Sequence, residues 1–259
     1  MLTKVKNIIL DTLFPIFCLA CRKDNFWLCE ECLKKIKVLD LQVCPVCERY
    51  ITEKGESCPK CKPLSPLKSL IVAAKYQEDN ISKLVHLYKY NFIQDLREPL
   101  GKLLVQAILK SQIDIPDFII PVPLHRRRLR WRGFNQAELL ADYVSANLTP
   151  GLVIPVLKNI LIRKKYTSPQ MKVKNYWERQ KNIQAAFAIQ DNTEIKNRRV
   201  LLIDDIATTG STLFECAKVL KESGAKKIYA AVIARQEFSK EYKGNKNQEK
   251  IEHYDKFRK

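Results

Sequence analysis

The chain has 259 residues, 46% hydrophobic and 29% charged, with 46 Lys and Arg against 28 Asp and Glu and a net charge of +18. That balance supports a packed core and excludes wholesale disorder and fibrous repeats. Only 7 glycines are present, none at the spacing of a Walker A loop or a Rossmann fingerprint, and no stretch of about 18 apolar residues occurs, so a P-loop ATPase, an ordinary dehydrogenase, a membrane span and a secretory signal are all unexpected and the chain reads as cytoplasmic.

Eight of the nine cysteines form four Cys-x-x-Cys pairs at the N-terminal end: Cys18 and Cys21, Cys29 and Cys32, Cys44 and Cys47, Cys58 and Cys61. A two-residue gap lets both thiolates of a turn reach one tetrahedral ion, so eight thiols predict two structural Zn²⁺ sites. Thioredoxin-type redox chemistry would need one pair on a strand-to-helix turn, not four in a row. Sequential pairing gives two small ribbons; a cross-braced order satisfies the same count. The segment KPLSPLK at 62–68 reads as a linker.

Beyond it the pattern alternates between strands and helices. SLIVAAKY at 69–76 predicts a strand, and Ile81, Leu84, Val85 and Tyr88 form one helical face. A helix follows over about 96–109, a strand over 117–123 and a helix within 133–148; VLKNILIR and AAFAIQ are two further strands. RRVLLID is a continuous apolar run suited to a central parallel strand. Leu213, Cys216, Ala217 and Leu220 make the stripe of the next helix, Gly224 ends it, and KIYAAVIA is the last strand. Repeated strand–helix–strand units predict a doubly wound, mainly parallel α/β sheet. On that stripe Cys216 is a core residue.

Ligands of such sheets bind at the carboxyl ends of the strands, where this chain reads Asp204, Asp205, Ile206, Ala207, Thr208, Thr209, Gly210, Ser211, Thr212. A helix start offers free N–H groups and a positive dipole to a phosphate, Gly210 permits close backbone approach, and the hydroxyls add donors. Two adjacent carboxylates suit ribose hydroxyls instead, directly or through Mg²⁺. The loop therefore suits a sugar phosphate rather than being a plain acidic turn with a capped helix.

VLLIDDIATTGST at 200–212 resembles the phosphoribosyl diphosphate (PRPP) signature of type I phosphoribosyltransferases, and IIPVPLHRRRLRWRGFNQAELLA at 119–141 resembles their ComF branch. The cysteine pairs, Lys89 with Tyr90, Gln170, and ERQKNIQAAF at 178–187 also match, so the likeness covers nearly everything to Arg235. It implies a double zinc ribbon over 1–66, a phosphoribosyltransferase-like domain over 67–235 and a charged tail over 236–259. By the same resemblance Asp204 and Asp205 hold the ribose hydroxyls and are the catalytic candidates. Thr208, Thr209, Gly210, Ser211 and Thr212 wrap the 5-phosphate, with Ala207 also PRPP-binding; the turn from Pro121 to Pro123, with Val122, Pro123, Arg128 and Arg132, lies on the diphosphate side, and Gln170, Arg179 and Asn182 belong to a flexible loop. Members of that family support uptake of single-stranded DNA in natural transformation, which makes PRPP, single-stranded DNA and a competence helicase or ATPase the expected partners. Position 208 is Thr where purine-salvage relatives carry an acid–base Asp, so the proton-transfer group is not named by the resemblance.

The net charge is +4 over residues 1–68, +12 over 69–235 and +2 over 236–259, which suits an anionic partner or a general lysine bias. Arg126, Arg127, Arg128, Arg130 and Arg132 cannot all share one helix face; they suit a solvated face, diphosphate neutralisation or a DNA backbone track. Residues 163–182 carry 7 basic residues against one acid and read as a basic loop over the ligand or a surface excursion. His86 and His253 fit no metal cluster; His125, directly after the Pro121–Pro123 turn, is better placed but a weak candidate. Two functions stay open, a phosphoribosyltransferase of unidentified acceptor and a non-catalytic sensor or scaffold.

Overall fold

The computed structural model describes residues 16–77, 80–166, 183–190 and 194–236. The chain opens with a cysteine-rich segment holding α1 (Glu30–Lys35) and the antiparallel pair β1 (Gln42–Val43) and β2 (Ile51–Thr52). There follow β3 (Ser69–Lys75), α2 (Ile81–Tyr90), α3 (Arg97–Ser111), β4 (Phe118–Pro121), α4 (Arg126–Arg132) and α5 (Gln136–Asn147). The last elements are β5 (Leu161–Arg163), β6 (Phe187–Ile189), β7 (Arg199–Ala207), α6 (Ser211–Glu222) and β8 (Lys227–Arg235). Among the described residues no helix is long and apolar enough to cross a membrane.

The centre is a parallel sheet in the order β3-β8-β7-β4. Its inner strands are apolar on both faces, as a doubly covered sheet requires. Leu201, Ile203, Ala231 and Ile233 face one core with α2, α3 and α5, while Val200, Leu202, Ala230 and Val232 face the other with α6. The expected stripes are the buried ones: Ile81, Leu84, Val85 and Tyr88 on α2, and Leu213, Cys216, Ala217 and Leu220 on α6. Gly224 adopts φ +94 just past α6, a backbone that side chains resist.

Three readings change. β5 and β6 do not join the sheet; they pair antiparallel with each other. Each is only three residues long, and the register Leu161 with Ile189 and Arg163 with Phe187 pairs them with each other. The stretch read as a linker is a packed connection: Leu67 is buried, Lys68 N–H donates to Ile228 O at 2.7 Å, and Ser65 Oγ donates to Leu67 O at 2.8 Å. β7 runs on through Ala207 because Asp204, Ile206 and Ala207 keep pairing with β8, so the two carboxylates stand on the strand rather than in the loop.

The cysteine-rich segment covers the β3 edge. Gln42 donates through Nε2 to Val72 O and accepts from Val72 N–H, mimicking a neighbouring strand. Leu70 N–H donates to Gly55 O at 2.9 Å, and a Cβ at Gly55 would stand 2.2 Å from Leu70 O. Cys18, Leu28, Cys29, Cys32 and Leu33 belong to the same apolar cluster as Ile71, Tyr88 and Leu104.

Candidate functional site

Successive residues of a strand face opposite ways, so the end of β7 aims its two acids differently. Asp205, 5% exposed, accepts from Lys89 Nζ of α2 at 2.9 Å and from Ile206 N–H at 2.8 Å. Burial opposes charge on Lys89, but the carboxylates of Asp205 and Asp204 outweigh it and hold the ammonium above its usual value. Asp204 accepts from Asp205 N–H at 2.9 Å. Burial, and then the charge of Asp205, push its carboxyl up to about 7, with Lys89 only partly opposing.

The following loop is buried at Ala207, Thr209, Gly210 and Ser211. Thr209 Oγ1 and Ser211 Oγ lie 2.6 Å apart, Ser211 N–H donates to Thr209 Oγ1, and Gly210 takes φ +74 as the N-cap of α6. These bonds close the turn on itself. Thr208 and Thr212 reach the cleft, and Gln236 N–H to Ala207 O at 2.9 Å ties the loop to the end of β8.

That cleft, of about 640 Å³, is lined by Asp204, Asp205, Thr208 and Thr212 from the end of β7 and the loop after it, and by Val122, Pro123, Arg128 and Arg132 from the turn after β4 and from α4. Asn135 braces the second set twice over: its Oδ1 accepts from Ala137 N–H to cap α5, and its Nδ2 donates to Val122 O at 3.1 Å, fixing the turn after β4. Arg128 and Arg132 are one helical turn apart on α4. Arg132, 8% exposed, donates to Gln136 Oε1 at 2.6 Å, while Arg132 Nε and Gln136 Nε2 have no hydrogen-bond partner among the described residues. Arg126, Arg127 and Arg130 are exposed, so the cluster divides between cleft and solvent. Beside the cleft Trp131 is 65% exposed and meets Phe92 edge-on at 5.2 Å, and Tyr166 packs under Arg127 and Arg128.

The cysteines gather in sequential order. Cys18, Cys21, Cys29 and Cys32 form one group and Cys44, Cys47, Cys58 and Cys61 the other, each with its sulfurs within 4.8 Å of one another. Sulfurs of Cys21 and Cys29 lie 3.6 Å apart, and those of Cys47 and Cys58 3.9 Å; a tetrahedral Zn²⁺ with bonds of about 2.3 Å needs about 3.8 Å. Cys29 N–H to Cys18 Sγ and Cys58 N–H to Cys44 Sγ, both 3.4 Å, supply the donors that thiolate ligands take. Both groups fit zinc.

Residues 9–62 match the family described as Double zinc ribbon domain, and residues 135–258 match the Phosphoribosyl transferase domain. Competence protein F of Haemophilus influenzae is 32% identical over 231 residues, which are 86% of this chain and 98% of that protein. The chain belongs to the ComF family. DNA utilization protein YhgH of Shigella flexneri is 29% identical over 85% of this chain and 97% of its own. Among solved structures, glutamine PRPP amidotransferase from B. subtilis aligns at a TM-score of 0.38 with 20% identity, over 57% of this chain and 30% of that one.

In this ComF chain the cleft brings Asp204, Asp205, Thr208, Thr212, Val122, Pro123, Arg128 and Arg132 together, whereas Ala207, Thr209, Gly210 and Ser211 form the loop behind its wall. Gln170, Arg179 and Asn182 lie outside the described residues, as does most of the 163–182 segment. His86 is exposed on the cleft rim and His125 caps α4, its Nδ1 accepting from Arg127 N–H. Sequence reasoning gave no specific role to Lys89 or Asn135 and placed Arg163 only at the start of the basic 163–182 segment. Lys89 stood in a family match but carried no local signal for an acid partner 116 positions away. Asn135 was legible, since Asn followed three positions later by Glu138 is a capping pattern. Arg163 lines the cleft and stacks on Phe187 at 5.3 Å through the β5–β6 pairing, which no periodicity announced.

Proposed function

We propose that this protein binds Mg²⁺–PRPP in the cleft between β7 and α4 and serves the use of single-stranded DNA. The observation that carries the reading is the meeting, in one cleft, of an acid pair at a strand end, a hydroxyl-rich turn opening a helix, and the Arg128–Arg132 wall. Asp204 and Asp205 accept from the ribose hydroxyls, the loop from Ala207 to Thr212 takes the 5-phosphate, and the turn at Val122 and Pro123 with Arg128 and Arg132 takes the diphosphate. Lys89 already neutralises Asp205, so the acids do not form a cage for a free divalent ion. They fit Mg²⁺ carried largely on the ligand's own oxygens. Bound there, the ion supplies charge neutralisation to the leaving diphosphate.

In a transfer reaction the protein would hold the phosphate and ribose ends fixed while positive charge develops at the anomeric carbon and the guanidiniums offset charge on the diphosphate. Position 208 is Thr, and Asp204, its carboxyl raised to about 7, is the acid–base candidate of this cleft. Exposed Trp131 and Phe92 with Arg126, Arg127 and Arg130 offer stacking and phosphate contacts to a single strand.

Diphosphate release from PRPP, measured with free bases, nucleotides and a single-stranded oligonucleotide, separates the readings. Release with one acceptor class supports a transferase; PRPP binding without release supports a sensor or scaffold. Affinity for the oligonucleotide is expected to fall with salt at a log–log slope of about −0.7 per phosphate contacted, and R127A/R130A should flatten it. Salt-insensitive binding would remove DNA from the proposal.

A further inference from the structure

Gly210, at the turn of the phosphate loop, is touched from behind by two side chains. A Cβ built there would stand 3.2 Å from the Phe214 ring and 3.8 Å from Arg235 Nη2. Both side chains also reach the second four-cysteine group. Phe214 packs on the cluster of Cys44, Val46, Cys47, Cys58 and Cys61. Arg235 Nη2 donates to Pro45 O at 3.2 Å, between the ligand positions Cys44 and Cys47, and to Glu48 Oε1 at 2.8 Å. Glu48 sits in the left-handed region at φ +57, held there by its N–H to Cys44 O at 2.9 Å. The ribbon's turn thus presents two acceptors, Pro45 O and Glu48 Oε1, to the guanidinium.

Arg235 is costly as mere packing. It is 8% exposed, and its Nε and Nη1 have no hydrogen-bond partner among the described residues. A buried guanidinium so incompletely satisfied loses more hydration than its few hydrogen bonds return. Its position has an electrostatic use, however. Zinc in four thiolates is net doubly negative, and with Glu48 it would set an anionic centre behind a loop that must attract a phosphate. A cation between the two offsets that field where the dielectric is low.

We propose that Arg235 and Phe214 form a clamp through which the second four-cysteine site positions the 207–211 loop, with Arg235 the positioning residue that keeps the loop attractive to phosphate. The electrostatic half rests on the PRPP reading; the mechanical half does not. Because coupling between sites is reciprocal, a ligand in the loop must also steady the metal site.

The test uses the full-length zinc-loaded protein and R235M, R235K and E48Q. Hydrogen exchange is read in peptides covering 44–48 and 207–214, alongside zinc content, melting temperature and calorimetric affinity for Mg²⁺–PRPP. R235M, which leaves Glu48 without its cation but 26% exposed to water, is expected to keep two zinc ions and a cooperative melt, yet exchange about tenfold faster in both peptides and bind PRPP about tenfold more weakly. R235K should restore much of the affinity by keeping the charge. In the parent, saturating PRPP should slow zinc release from one site to a chelator, and in R235M it should not. Unchanged exchange at 207–214 in R235M overturns the clamp. Should R235M not fold, E48Q decides: faster exchange in both peptides supports the clamp and a change confined to 44–48 overturns it. Failure of the parent to bind PRPP would overturn the cleft's assignment and the electrostatic half, with the exchange data still deciding the mechanical half.

Discussion

Asp204 and Asp205 share one chemistry and stand side by side, yet their surroundings separate them. Asp205 has the Lys89 ammonium at 2.9 Å, while burial and the neighbouring charge raise Asp204 to about 7. A carboxylate that must accept from ribose hydroxyls binds only when ionised, so PRPP affinity should rise about tenfold from pH 6 to pH 8 as Asp204 loses its proton. Calorimetry in buffers of different ionisation enthalpy would show a proton released on binding near pH 6.5; a flat profile with no proton release would contradict the assignment. The sign for stability is opposite. An acid whose folded pKa lies above its unfolded value stabilises the fold at low pH, and that contribution is lost as pH rises through the folded value. D204N should therefore be more stable than the parent at pH 8, by an amount on the order of 4 kcal/mol, and match it near pH 4. Equal melting at both pH values would mean that Asp204 pays no burial cost.

At the scale of elements, legibility followed the range of the signal. α2, α6, β7 and β8 were readable because each carries its own period and both faces of the inner strands are covered. Thr208 to Thr212 was readable for the same reason, its turn being closed by bonds within three residues. The Lys89–Asp205 pair and the β5–β6 pairing come from contacts between distant segments that leave no local trace. The KPLSPLK segment misleads because proline suits both a linker and a packed turn, and only the burial of Leu67 decides between them. Gly55 shows how closely the ribbon meets β3. With φ +66 and Leu70 O in the space of a Cβ, G55A should cost more than about 2 kcal/mol in denaturant unfolding. A variant as stable as the parent would mean that the edge of β3 opens without penalty.

Across the whole molecule the ribbon and the sheet share apolar cores, since Cys18, Cys29 and Cys32 lie in one cluster with Ile71 and Tyr88, and Phe214 bridges to the second site. A segment with so few core residues of its own depends on metal to fold. Stripping zinc with a chelator should thus expose the β3 edge and lower the melting temperature of the sheet, beyond the loss of ribbon signal. Elemental analysis should find two zinc ions per chain before stripping, and a sheet that melts unchanged afterwards would show the two parts to be independent. The central claim, that the cleft at the end of β7 holds PRPP through its acid pair, is tested most directly by titrating Mg²⁺–PRPP into the parent and into D204N/D205N at pH 8. The parent should bind one equivalent, and the double variant, with its fold and zinc intact, should lose at least about a hundredfold in affinity as the sugar hydroxyls lose their charged acceptors. Equal affinity in the two proteins, or no binding by the parent, would contradict it.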